Sequence, residues 1–193
     1  MLIKNDFEVA APVDAVWRFF EDIPQVATCL PGTELTDNLG DDKYKGRVAV
    51  RMGPVRLQFA GTADITERNE AAKRVVVNAA GAEEKGRGQA SMVVTAVLAP
   101  AGRGTKVSVT QDLQLSGAAA QYGRGMISDV TTVLMRDFSA NLARAIDAAE
   151  RGESITAAAA APASGFALGM RAARMALTRV FRRFFLPYQP NQG

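Results

Sequence analysis

The side chains that most often carry chemistry are scarce in this sequence. Its 193 residues include no histidine and one cysteine, Cys29. Without imidazole there is no Ser-His-Asp or Cys-His triad, no histidine-ligated zinc or iron, and no side chain whose ordinary pKa sits near neutrality. A single cysteine leaves no intramolecular disulfide and no thiolate metal cluster. Cys29, beside Leu30, has no histidine to lower its pKa, so a small buried residue is favoured over a nucleophile. Carboxylate and lysine chemistry stay open. Gly86-Arg87-Gly88, Gly102-Arg103-Gly104 and Gly123-Arg124-Gly125 lack the full spacing of a nucleotide-binding fingerprint and read as turns or close backbone approaches. Gln111 interrupts an otherwise apolar strand face, where it either pairs locally or offers a hydrogen bond to a polar group on a ligand.

These residues must be positioned by a small α+β domain. Leu2 to Val9 suits a strand, Pro12 opens a short helix over Val13–Glu21, and a second helical piece from Ile23 to Leu30 stops at Pro31-Gly32. From Thr33 to Gly117 the pattern has period two. Segments near 33–38, 43–52, 55–67, 73–82, 87–99 and 105–116 are divided by turn clusters, which predicts an antiparallel meander of six further strands. Val55, Leu57, Phe59, Ala63 and Ile65 face one way while Arg56, Gln58, Thr62 and Asp64 face the other, so one side of the sheet is covered. The cover is a helix predicted from about Ala119 to Arg151, with apolar residues at steps of three and four and Gly152 as its cap. At about 30 residues it spans roughly 45 Å. A long C-terminal helix gripped by a curved sheet is a helix-grip layout, and the bend leaves room for an apolar pocket. Alternation nominates Tyr44, Val50, Phe59, Met92, Gln111, Met126, Val130 and Leu134 as its lining.

This domain covers residues 1–151. Residues 152–165, rich in alanine with Pro162, Ser164 and Gly165, read as a tether of on the order of 20 Å if flexible. Residues 166–186 are expected to form a basic amphipathic helix and 187–193 a disordered end. On a helical wheel Phe166, Met170, Ala173, Leu177, Val180, Phe181 and Phe184 share one arc, Arg171, Arg174, Arg179, Arg182 and Arg183 centre opposite, and Phe185 is nominated with them as membrane-binding. The net charge of +3 divides unevenly: 18 basic and 20 acidic residues in 1–161 give −2, and the five arginines give +5. That split, with few aromatics beside the basic residues, argues against nucleic acid. Spanning a bilayer would place arginines in hydrocarbon at about 2.5–3.5 kcal/mol each, whereas lying in the interface gains about 1 kcal/mol per arginine near an anionic leaflet. Surface attachment to membrane lipids is therefore favoured, with a protein groove or packing on its own domain as alternatives. No apolar run of signal-peptide or membrane-spanning type is present, so the chain is expected on the cytoplasmic side of the membrane, as a peripheral protein.

Cys29-Leu30-Pro31-Gly32, Gly53-Pro54 between strands, and Ser116-Gly117 followed by Ala120-Gln121-Tyr122-Gly123 and Ile127 resemble the G-subunit family of carbon monoxide dehydrogenase, within the START-like SRPBCC superfamily. The resemblance covers roughly residues 1–150. It implies a helix-grip fold and a non-catalytic accessory role beside a molybdenum hydroxylase of the carbon monoxide dehydrogenase type, with no metal or covalent cofactor and no catalytic residue. Two roles are compatible with a pocket joined to an amphipathic tail. The protein either anchors the enzyme at the membrane, or it also binds a lipophilic isoprenoid quinone (menaquinone or ubiquinone) and delivers it as electron acceptor. A START-like small-ligand-binding protein or enzyme is the alternative.

Overall fold

A computed structural model describes residues 1–151 of the chain. It contains β1 (Leu2–Val9), α1 (Val13–Glu21), α2 (Ile23–Cys29), β2 (Thr33–Gly40), β3 (Lys43–Met52), β4 (Val55–Asn69), β5 (Arg74–Glu83), β6 (Gln89–Ala101), β7 (Gly104–Leu115) and α3 (Gly123–Glu150). The seven strands form one antiparallel sheet in the order β1-β7-β6-β5-β4-β3-β2. Five of the six strand pairings are hairpins. Only β1 reaches its partner β7 from the far end of the chain, and α1 and α2 occupy the crossover from β1 to β2 at the opposite edge of the sheet.

Turn chemistry explains the tight connections. Asp41 and Asp42 both take positive φ (49° and 58°) between the paired residues Gly40 and Lys43, the geometry whose twist matches that of the strands. Gly53 and Gly102 supply positive φ at the first position of two further two-residue loops.

The long helix departs from the sequence expectation at its start. Residues Gly117–Tyr122 form a 3-10 turn and the α-helix begins at Gly123, not near Ala119. Gly123, with φ of 75°, breaks the hydrogen-bond pattern between the two. At the other end the helix stops at Glu150 with Arg151 as its cap. Gly152, expected to be that cap, lies outside the described residues. So do the tether, the basic helix and every membrane-facing residue nominated within it, from Phe166 to Phe185.

Two apolar clusters cover the concave face. The larger joins Val9, Val16, Trp17, Phe19, Phe20, Val107 and Val109 to Phe138, Leu142, Ala145 and Ile146 of α3, with Phe7 set edge-on against Phe138 at 5.8 Å between ring centres. The smaller joins Ile3, Met52, Leu57, Ala119 and Ile127, with Val50, Phe59 and Val130 packed against it. Cys29 is buried in the larger cluster, and burial pushes its thiol pKa up, so it is a packing residue. Polar contacts then fix the helices on the sheet. Arg68 donates to both carboxylate oxygens of Asp42 (2.7 and 3.2 Å) and to the Glu21 carbonyl at 2.8 Å, and Asn141 of α3 donates to the Cys29 carbonyl at 2.9 Å.

Candidate functional site

The two clusters do not meet across the whole sheet. Between them the concave face is paved with the smallest side chains. Gly46 of β3, Gly61 of β4, Gly81 of β5 and Ala90 of β6 stand side by side in register, and the adjoining row contains Ala63 and Ala79. All six are half-buried, in contrast to the buried Val75, Ala96, Leu98, Val107 and Val109 nearer α1. The row of glycines also sets the curvature. A Cβ on Gly61 would lie 2.0 Å from the Ala80 carbonyl oxygen, and one on Gly46 would lie 2.8 Å from that of Glu34. Only glycine permits strands to approach this closely at a bend. The residues that let the sheet curl are therefore those that leave a strip of the concave face, the trough, lined only by small side chains.

The nominated lining residues distribute as follows. Tyr44, Val50, Phe59, Met92 and Gln111 all lie on the concave face by strand register. Tyr44 is buried beside Ala63, while Met92 stands between Ala79 and Leu113. Val130 joins Val50 and Phe59 in the smaller cluster. Leu134 is half-buried on α3, and Met126 is 42% exposed near the start of that helix. Val48, on the same face of β3, is 37% exposed. Sequence reasoning placed Ala63 on the covered face but missed Gly46, Gly61, Gly81, Ala79 and Ala90, because glycine and alanine add little signal to a period-two pattern. It also missed Asn5 of β1, which faces the trough side between Ile3 and Phe7.

One buried carboxylate borders the trough. Glu83 lies in register with Phe59 and is 3% exposed. Its Oε1 accepts from Arg87 Nη2 at 2.7 Å, and its Oε2 accepts from the backbone N–H groups of Lys85 (2.9 Å) and Arg87 (3.2 Å). The Arg87 guanidinium leads in pulling the Glu83 pKa down to about 2, with the backbone donors assisting against burial. Arg87 also anchors the start of the 3-10 turn, since its carbonyl accepts from Ala118 N–H at 2.7 Å. The pair thus clamps the β5–β6 loop onto the approach to α3. A folded-state pKa below the unfolded value of 4.5 contributes stability that is present above that value and is lost as pH falls from about 4.5 toward 2. Thermal unfolding measured between pH 2 and 6 should show that loss in the natural protein. In Glu83→Gln the acid-dependent part should be smaller, and an unchanged pH profile would rule the clamp out.

The opposite face of the sheet is solvated. A shallow groove crosses it, lined by Asp64, Asn78, Ser91, Val93, Asp112 and Gln114 among others. Among the described residues no cluster of three or more His, Cys, Asp or Glu side chains could hold a metal ion. No helix among them is long and apolar enough to cross a membrane.

Known folds share this architecture. A conserved protein from Geobacillus kaustophilus superposes with a TM-score of 0.68 at 21% identity, over 76% of this chain and 95% of that one. A protein from Thermus thermophilus gives 0.56 at 18% identity, over 77% and 99%. The Zhui aromatase/cyclase of Streptomyces sp. R1128 gives 0.50 at 15% identity, over 81% and 98%. These likenesses show the helix-grip fold. No curated protein matches by sequence. Residues 6–147, which take in β2 to β7, both short helices and most of α3, match the family of the carbon monoxide dehydrogenase G subunit, CoxG. The chain therefore belongs to the CoxG family of carbon monoxide dehydrogenase subunits.

Proposed function

We propose that the protein is a non-catalytic accessory subunit of a molybdenum hydroxylase of the carbon monoxide dehydrogenase type, and that it carries a lipophilic ligand, a respiratory quinone, in the trough. Family membership supports the accessory role. The trough supports the cargo. A floor of Gly46, Gly61, Gly81, Ala63 and Ala79 between two separated apolar clusters offers apolar surface without the side chains to fill it. A soluble dehydrogenase that feeds respiration has buried redox centres that do not enter lipid, while quinone dissolves in the bilayer. A carrier with an apolar trough bridges the two. The basic amphipathic segment 166–186 supports attachment to the cytoplasmic membrane, with its phenylalanines inserted and its arginines on anionic headgroups.

A catalytic role for the trough is less well supported, although one structural neighbour is named an aromatase/cyclase. The buried carboxylate at its border, Glu83, is tied to Arg87 and is too weakly basic at neutral pH to take up a proton.

The test is native mass spectrometry with lipid extraction on the full chain purified from its own membranes, alongside a variant truncated after Ser164. A quinone released from the full-length protein is the expected result, together with membrane association that disappears in the truncation. An empty protein that still loses membrane association on truncation would leave an anchor without cargo. Equal membrane association of both forms would overturn the role of the basic segment.

A further inference from the structure

The boundary between the two apolar clusters is polar on three elements at once. On β1, Asn5 stands between Ile3 of the smaller cluster and Phe7 of the larger. On β7, Gln111 stands between Leu113 of the smaller and Val109 of the larger. On α3, Thr131 lies four residues from Ile127 of the smaller and four from Met135 of the larger. Since Ile3 pairs with Gln111 and Asn5 with Val109, the two amides are diagonal neighbours on the concave face.

Their hydrogen bonding is incomplete. Asn5 Nδ2 is buried with no hydrogen-bond partner among the described residues. Gln111 is 6% exposed, and its Nε2 donates to the Met135 sulfur at 3.5 Å, a weak acceptor. Thr131 donates its hydroxyl proton to the Ile127 carbonyl at 2.8 Å, so toward the trough it can only accept. An unpaired buried amide destabilises a fold, and an apolar side chain of the same shape would not. Their nearest neighbours on that face, Ile3, Phe7, Val94, Val109 and Leu113, are apolar, so a charged group placed there would be unpaired.

We infer that Asn5 and Gln111 form the polar end of the trough and donate amide N–H groups to an oxygen atom on an uncharged, lipophilic ligand. This rests on the trough being a ligand site. The oxygen takes the donor that the protein leaves unpaired, which is covered in the empty protein and is uncovered by ligand entry, and the apolar remainder lies along the glycine and alanine floor. The seam therefore selects a molecule with a carbonyl or similar oxygen at one end over a plain hydrocarbon of the same outline.

Two probes of matched shape separate these contributions: 2-methyl-3-prenyl-1,4-naphthoquinone, with two carbonyl oxygens, and 2-methyl-3-prenylnaphthalene, with none. Equilibrium dialysis against the full chain is expected to give about tenfold tighter binding of the quinone, the scale of one or two buried hydrogen bonds. Asn5→Leu and Gln111→Met should each narrow that preference, and the double variant should bind both probes equally. Undiminished binding of the hydrocarbon shows that a variant is folded, and Asn5→Ala is measured too, so that a leucine that fits poorly does not decide the result. A preference that survives in the double variant overturns the seam. Equal binding of both probes by the natural protein overturns it as well, and leaves the trough standing. If the natural protein binds neither probe, the trough itself is wrong as a ligand site.

Discussion

Gly61→Ala is expected to destabilise the domain by roughly 2–4 kcal/mol, the upper range for forcing a group into packed structure. The new methyl carbon would meet the Ala80 carbonyl oxygen at 2.0 Å and the Gly81 Cα at 2.5 Å. Both are backbone atoms of the paired strand, so relief requires β4 and β5 to move apart at the bend. At about 2–4 °C per kcal/mol for a domain of this size, the melting temperature should fall by on the order of 10 °C. Gly125→Ala makes the contrast. A Cβ there meets nothing within 4 Å and the residue lies in the first turn of α3, so alanine should raise stability by up to about 1 kcal/mol. Differential scanning calorimetry of the two variants checks both directions. If Gly61→Ala melted with the natural protein, the close approach that curves the sheet would not exist.

Ala63→Phe should abolish ligand uptake while leaving the fold nearly unchanged. Ala63 lies on the trough floor between Tyr44 and Ala79 and is half-buried. A phenyl ring at that point projects into the space assigned to the ligand. In an open trough the ring occupies existing room, the melting temperature stays within a few degrees, and retention of lipid on purification falls at least tenfold, about 1.4 kcal/mol. In a filled core the same ring would be forced against neighbours at a cost of about 1–3 kcal/mol. The measurement pairs thermal unfolding with extraction of bound lipid. A marked loss of stability together with undiminished lipid content would place the ligand elsewhere.

The two variants probe one feature of the sheet from opposite sides. Gly61 is required by the backbone of the neighbouring strand, and Ala63 two residues along is set by the space above it. The same run of small residues gives the sheet its bend and the trough its depth.

Much of the fold was readable in the chain. Period-two alternation in Val55–Ile65 and Val107–Leu115 fixed which side of the sheet is covered, because a strand presents successive side chains to opposite faces whatever surrounds it. The turn pairs Gly53-Pro54 and Gly102-Arg103 marked hairpins through local backbone preference alone. The start of α3 was misplaced because residues 117–122 have helical composition, and the 3-10 geometry there follows from the Arg87 carbonyl holding Ala118, a contact 31 residues distant in sequence.

The site was readable only in part. Tyr44, Phe59, Met92 and Gln111 could be placed on the covered face from alternation. Alternation nominated them as pocket lining but does not distinguish a packed face from an open one, since an apolar face looks the same in either case. The absence of histidine, the one cysteine, the alternation and the basic amphipathic segment are properties of the sequence itself, and together they determined the α+β class and the set of chemistries excluded, while Cys29-Leu30-Pro31-Gly32, Gly53-Pro54 and the stretch from Ser116 to Ile127 carried the family resemblance. Tertiary structure alone decided where the two clusters end, that Gly46, Gly61 and Gly81 align across three strands, and that Asn5 and Gln111 meet at the seam. Register between strands far apart in the chain makes those neighbours, and no local preference encodes it.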